Sequence, residues 1–437
     1  MRIFMRTVLI RGAFLAAIVA ISLMTTLSPA ADFPEIAKLP ECKELPDPLV
    51  MFDGTPVNTR EQWTERRKPE LKALFQHYMY GEIPAAPKIS ATVQRADHYA
   101  VSGKATMKQI RIALNSSPDC PTINLLLFVP NHRAADRPPP VVLGLNFSGN
   151  HTVLDDRRIA LAEGWMAAGP GVEHNRATDA GRAKDSDRWQ VEHVIDRGFA
   201  LATFYYGDVA PDHPGFKDGV FPFFLKPGQI EHGPNDWGAI AAWAWGLQRA
   251  VDYLVTDADV DPKRIVVFGH SRNGKAALLA GALDERIAVV IPHQAGCGGS
   301  APSRQHNPEA ESVSRINQSF PHWFDARFKD FGGHEEKLPF DQNCLVALCA
   351  PRPVLFTCGE EDPWANPPGQ LDVLKSATAV YRFFGKDGIA VDAAAEPNKR
   401  LGGVLSYYTR KAPHTVDRTY WDVFLDFAEA SLDSKAK

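Results

Sequence analysis

The chain has 437 residues, 45% hydrophobic and 23% charged, the balance of a soluble globular protein and not of a disordered, fibrous or membrane-embedded one. Its 48 Lys and Arg against 52 Asp and Glu give a formal net charge of -4; with no long run of one sign, this excludes a nucleic-acid footprint and a polyanionic tail. The 32 Gly and 34 Pro are scattered without period, which excludes collagen-like and low-complexity chains and requires many ordered loops. The 9 Trp suit a large core and equally a protein that lays indole faces on sugar rings.

Arg2, Arg6 and Arg11 precede an apolar run from Ala13 to Met24, followed by the small residues Ser28, Pro29, Ala30 and Ala31. This pattern predicts an export signal over 1–31, with a mature chain beginning near Asp32 that is secreted or periplasmic. A retained anchor is the alternative, but the run is short of a full span, and no other stretch could cross a bilayer. The six cysteines, Cys42, Cys120, Cys297, Cys344, Cys349 and Cys358, form no CxxC or metal-ligand spacing; one or two bridges or six buried thiols fit equally well.

Residues 33 to 60 are Pro-rich and without period, and a helical stretch follows from Glu61 to Tyr80. Extended runs come next at Ile89 to His98, Lys108 to Leu114, Thr122 to Val129 and Val141 to Phe147. The first two alternate, as half-buried strands do, and the later two are continuously apolar, as strands covered on both faces are. Further apolar runs lie at Ala200 to Tyr205, Arg264 to Gly269, Ala288 to Ile291 and Pro353 to Cys358. Helical segments intervene, such as Asp236 to Thr256 with Ile240, Trp243, Leu247, Val251 and Leu254 at three- and four-residue spacing. Strands alternating with helices predict one α/β domain over 32–437, with a doubly wound, mostly parallel sheet and an antiparallel start. Two long connections, His151 to Asp187 and Val209 to Asn235, are expected to carry function or a lid.

The run from Arg264 through Gly269-His270-Ser271-Arg272-Asn273-Gly274-Lys275 to Ala280 is a strand, a tight turn and a helix in succession. That is the setting of a nucleophile elbow, where a serine projects its hydroxyl above the sheet and the next amide faces a developing oxyanion. The second glycine of G-x-S-x-G is replaced by Asn273, and Gly274 comes one position late; a serine N-cap on an ordinary turn is the plainer alternative. The hydrolase order Ser, Asp/Glu, His narrows the partners. Of His293, His306, His322, His334 and His414, only His414 lies beyond the last predicted strand, before a closing helix Tyr420 to Leu432, and it is the candidate base. The acid is expected after Pro353 to Gly359, where Glu360, Glu361 and Asp362 follow. Asp362 is the choice and Glu361 its local rival.

Gly269-His-Ser-Arg-Asn-Gly-Lys275, with Gly144-Leu-Asn-Phe-Ser-Gly-Asn-His151 upstream and Phe320-Pro-His-Trp-Phe324 downstream, resembles the glucuronoyl esterases of carbohydrate esterase family fifteen. The likeness is strongest from about residue 139 to 432. It implies an α/β-hydrolase, a three-layer αβα sandwich, that cleaves esters of glucuronic acid, as in lignin–carbohydrate links of glucuronoxylan. It also implies Ser271 as nucleophile, His414 as base, Arg272 as an oxyanion contact, Lys275 and Glu311 as sugar contacts and Trp364 as a substrate-site tryptophan. Many members carry the acid twenty-three residues after the serine, where this chain has Gln294; others resemble it in using an acid after the later strand.

Glutamine cannot supply the charge that stabilises an imidazolium. Two alternatives therefore stand beside the uronate esterase: an acetyl-xylan, cinnamoyl or other small-ester hydrolase of the same fold, and a carbohydrate-binding pseudoenzyme. Lys275 and Glu311 could equally be solvated charges, and Trp364, Trp189 and Trp323 could plug a core. No cofactor or metal is expected, since the histidines show no HExxH or paired spacing. The expected partner is a carbohydrate ester alone, with no nucleic acid, no membrane after signal cleavage and a monomeric chain.

Overall fold

The computed structural model describes residues 33–132, 137–304 and 307–433; the predicted export signal and His306 lie outside them. Ten strands build one sheet: β1 Ser90–Ala100, β2 Ala105–Ala113, β3 Thr122–Pro130, β4 Val141–Asn146, β5 Ala200–Tyr205, β6 Ile265–His270, β7 Ile287–His293, β8 Val354–Gly359, β9 Leu401–Gly402 and β10 Leu405–Arg410. Their spatial order is β1-β2-β3-β5-β4-β6-β7-β8-β10-β9. Pairing is parallel from β5 across to β10 and antiparallel at both flanks. The chain therefore runs outward from β4 to β5 and then returns to β6 on the other side. That reversal opens a crevice at the carboxyl ends of β4 and β6, where open α/β sheets bind ligands.

The central strands β4 to β8 are buried along their whole length, as their continuous apolar runs require. On one face, Val191, Val194 and Ile195 of α2 (Val191–Asp196) and Trp421, Phe424 and Leu425 of α7 (Arg418–Asp433) pack with Val266, Phe268, Val289 and Ile291 of the sheet. The other face carries α3 (Ala239–Leu254), α4 (Arg272–Leu283), α5 (Gln342–Cys349) and α6 (Pro367–Phe383), which contact one another in that order. The first helical stretch, Arg60 to Tyr80, forms as expected, with α-helix α1 (Lys68–Phe75) flanked by two π-type turns. Two layers of helix around a mixed, mostly parallel sheet give the α/β-hydrolase architecture.

Two expectations change. Strand β1 is not half-buried: only Ala100 is buried, and the rest lies on the sheet's edge. Alternation in a sequence reports two chemically different faces, and among the described residues both faces of β1 stay largely exposed. Strand β10 went unread because Ser406 and Thr409 interrupt its apolar pattern, yet it is buried from Leu405 to Thr409 beside β8. Cys42 is exposed, the other five cysteines are buried, and all six are free thiols. Among the described residues no helix is long and apolar enough to cross a membrane.

Candidate active site

The serine sits between β6 and α4 with φ 58° and ψ -128°, a left-handed conformation that costs a non-glycine residue free energy and needs its surroundings to hold it. Those surroundings are specific. A Cβ on Gly269 would lie 2.0 Å from the Asn273 carbonyl oxygen, and one on Gly274 would lie 2.9 Å from the Gly269 carbonyl oxygen. The late glycine thus serves the same close approach of helix to strand as the usual one. Asn273 is fully buried and donates through Nδ2 to Leu145 O at 3.1 Å, tying the elbow to β4. The Ser271 amide donates to His293 O at 2.9 Å. As the first residue of α4, Arg272 has a backbone N–H with no partner inside the helix, beside the serine hydroxyl.

Ser271, Arg272, Lys275, Gln294, Glu311, Phe320, Trp323, Asp362, Trp364 and His414 line one cleft of about 360 Å³. All seven residues singled out from the sequence are therefore brought together. His414 lies in the loop between β10 and α7, and its Nδ1 is 2.6 Å from Oδ2 of Asp362. An ionised carboxylate only accepts, so Nδ1 carries the proton and Nε2 keeps its lone pair. Asp362 is itself buried, at 5% exposure. The rival Glu361 is exposed, with Oε1 3.9 Å from Lys411 Nζ.

Behind His414 stand two more imidazoles: the His270 ring centroid is 4.5 Å from that of His414 and 5.2 Å from that of His293. Burial, reinforced by the neighbouring histidines, holds His270 well below the usual imidazole range. Burial likewise brings His293 down to about 4, against a bond to Thr415 that favours its charged form. Both are neutral at neutral pH, so Asp362 faces an imidazole whose neighbours add no positive charge.

Arg272 is held by a group that sequence reasoning missed. Asp212, in the long loop 209–235, forms an ion pair with the Arg272 guanidinium. It also accepts from His322 Nε2 and Trp323 Nε1, both at 2.8 Å. Burial pushes the Asp212 carboxyl up, but His322, Arg272 and Trp323 outweigh it and hold it down at about 2. The guanidinium carbon lies 4.8 Å from the Trp323 ring centre and 5.2 Å from that of Phe320, and those two rings stack at 3.8 Å. The only signal for Asp212 was the length of its loop.

Lys275 donates to Ala295 O at 2.7 Å, to Cys297 O, and to Glu311 Oε2 at 3.1 Å. Both ends of this ion pair are buried, at 5% and 4% side-chain exposure, so neither is a solvated surface charge. An ammonium has three donors, so a sugar hydroxyl that accepts from Nζ must share one of these N–H groups or displace one of the three acceptors. The Glu311 amide donates to Trp364 O at 3.0 Å. Trp364 is 42% exposed, and the Arg315 guanidinium carbon lies 4.9 Å over its ring. Of the alternatives for tryptophan, Trp189 is a core residue, whereas Trp323 forms part of the cleft.

A strained serine between strand and helix, with a carboxylate-bound histidine opening onto the same cleft, defines a serine hydrolase of the α/β-hydrolase fold. A model of the family described as glucuronyl esterase, fungi, matches residues 187–385. Carbohydrate esterase MZ0003, from an unknown prokaryotic organism, is 42% identical over 395 residues, which is 90% of each chain. The solved glucuronoyl esterase from Solibacter usitatus is 40% identical with a TM-score of 0.82, over 90% of this chain and 99% of that one. A promiscuous esterase of carbohydrate esterase family 15 from a marine bacterial metagenome is 42% identical, also with a TM-score of 0.82, over 91% and 99% of the two chains. This chain belongs to that family, the glucuronoyl esterases, and is a carboxylic ester hydrolase acting on esters of glucuronic acid.

Proposed function

We propose that the ester cleaved joins the carboxyl group of a glucuronic acid branch on xylan to a lignin alcohol, and that Ser271 carries the acyl group. Ser271 Oγ attacks the ester carbonyl carbon while its proton passes to His414 Nε2, with Asp362 fixing the tautomer and stabilising the imidazolium. The Arg272 backbone N–H and guanidinium receive the oxyanion, a full charge adding to what an amide alone supplies. The tetrahedral intermediate expels the alcohol, which leaves with the proton from His414. Water, deprotonated in turn by His414, then attacks the acyl-enzyme and frees the uronate and Ser271.

The observation that carries this reading is the 2.6 Å contact of His414 with Asp362 in the cleft that Ser271 and Arg272 share. A protein that only binds carbohydrate has no need of that contact, and the carboxylate that Gln294 lacks is present at Asp362. The cleft's volume of about 360 Å³ suits a sugar acyl group and far exceeds an acetyl group. The buried Lys275–Glu311 pair and the half-open face of Trp364 offer hydroxyl partners and a stacking surface to one sugar ring. Incubation with a lignin–carbohydrate fraction tests the alcohol side. Release of glucuronoxylan by the enzyme and not by Ser271→Ala is expected; turnover of a simple methyl ester without any release would refute the lignin link.

The reading includes a monomeric chain and its export, the export being supported by the basic, apolar and small-residue order of 1–31. Amino-terminal sequencing of the soluble exported protein should begin near Asp32. Recovery of a membrane-bound chain that keeps residues 1–31 would contradict it.

A further inference from the structure

Gln294 occupies the place where many relatives, by resemblance, have an acid, and its side chain is buried at 1% exposure. It is fully engaged. Nε2 donates to Pro413 O at 2.9 Å, and Oε1 accepts from the Thr415 amide at 3.0 Å. Pro413 and Thr415 are the residues on either side of His414. Because Pro413 O only accepts and Thr415 N only donates, the orientation of the Gln294 amide is fixed by its partners. Oε1 takes a further bond from His270 Nε2 at 3.2 Å. The neighbouring His293 donates through Nε2 to Thr415 O at 2.7 Å, so consecutive residues at the end of β7 grip both polar groups of Thr415. Gln294 itself has φ 48°, and its amide donates to Thr357 O on β8 at 2.9 Å.

We propose that Gln294 is a positioning residue for the base: it clamps the peptide units before and after His414, and it can do so only as a neutral amide. The inference rests on the reading of His414 as base. An ionised carboxylate here would set acceptor against acceptor at Pro413 O and would lose that half of the clamp. An alanine would release both peptide units to water. His414 stands in a short loop, is itself 40% exposed at its side chain, and must reach Ser271 with one nitrogen while holding Asp362 with the other. Displacements of an ångström at such a geometry cost rate and not affinity. The chain thus divides two jobs that a single ionised glutamate cannot do together, leaving the charge to Asp362 and the loop clamp to Gln294.

The test uses the full chain with a methyl glucuronate ester and the variants Gln294→Ala, Gln294→Met and Gln294→Glu, alone and with Asp362→Asn. Methionine keeps the buried volume without the hydrogen bonds, so it reports the clamp even where alanine unfolds. The expected result is a fall in kcat of about tenfold or more in each single variant, with KM within about twofold and cooperative thermal unfolding retained. Gln294→Glu should not restore Asp362→Asn. Three results would overturn the proposal: wild-type kcat in folded Gln294→Met, a rise in kcat in Gln294→Glu, or rescue of Asp362→Asn by it. Failure of the underlying reading looks different, since Ser271→Ala or His414→Ala would then keep activity.

Discussion

The Asp362 carboxylate meets Nδ1 of His414 at 2.6 Å, from a side chain 5% exposed against 40% for the histidine. The carboxylate is fixed inside the protein and the imidazole is presented to the cleft. Asp362→Asn keeps the shape but can donate to Nδ1 and so favours the wrong tautomer. It should lower kcat by about 10³- to 10⁴-fold, the scale of the same change in a triad, while Glu361→Gln should leave the rate within about twofold because Glu361 faces Lys411 and solvent. Steady-state kinetics on a uronate ester decide between them.

The second prediction concerns Asp212, which joins Arg272, His322 and Trp323. Asp212→Asn removes the charge that anchors the guanidinium, and kcat/KM should fall by about 10- to 100-fold, less than the ~10²- to 10³-fold that outright loss of one oxyanion donor costs. Its folded pKa of about 2, against an ordinary 3.8, also sets a stability signature. A carboxyl whose folded pKa is depressed adds stability that is fully present above pH ~4 and is lost as pH falls through ~2, about 2 kcal/mol in all. The stability gap between wild type and Asp212→Asn, followed by denaturant unfolding, should therefore shrink over that window.

Lys275 and Glu311 make a third case, because a buried pair is costly to break from one side. Lys275→Met leaves Glu311 buried without its cation and should destabilise by about 3–5 kcal/mol, whereas Lys275→Met with Glu311→Leu should recover part of that loss. Both variants should raise KM for a uronate ester if the pair meets the sugar hydroxyls. A double variant less stable than the single would contradict this account.

Trp364 gives a fourth. Arg315 lies 4.9 Å over one face of the Trp364 ring, so a sugar ring stacking on that face must displace the guanidinium. Trp364→Ala should raise KM by up to about tenfold, the scale of one stacking contact, with kcat little changed. Arg315→Ala should lower KM or leave it unchanged; a large increase would mean that Arg315 holds substrate directly.

Much of this arrangement was legible in the sequence for identifiable reasons. Strands β4 to β8 announce themselves as short apolar runs because both of their faces are covered. The elbow is legible because Gly269, Ser271 and the Ala-rich start of α4 are contiguous. Chain order and the end of a predicted strand lead to His414 and to the run Glu360 to Asp362, with Glu361 left as a rival to Asp362. Strand β10 was hidden by Ser406 and Thr409, which are buried polar residues, and by tyrosines whose hydroxyls need partners, such as Tyr407 Oη on Pro367 O at 2.8 Å. Asp212 was illegible because its loop has no period and its partners, Arg272 and the adjacent His322 and Trp323, come from two distant segments of the chain. The change at Gln294 read as a missing charge, since the clamp on Pro413 and Thr415 exists only once the strands are assembled.

The central claim is that Ser271, served by Asp362 rather than by position 294, cleaves a uronate ester. The direct measurement is kcat/KM on methyl or benzyl glucuronate ester for the mature protein, Ser271→Ala and Asp362→Asn, beside an acetylated sugar. The account predicts preference for the uronate ester, no activity in Ser271→Ala, and a loss of about 10³-fold or more in Asp362→Asn. Preference for the acetyl ester, or an Asp362→Asn variant as fast as wild type, would contradict it.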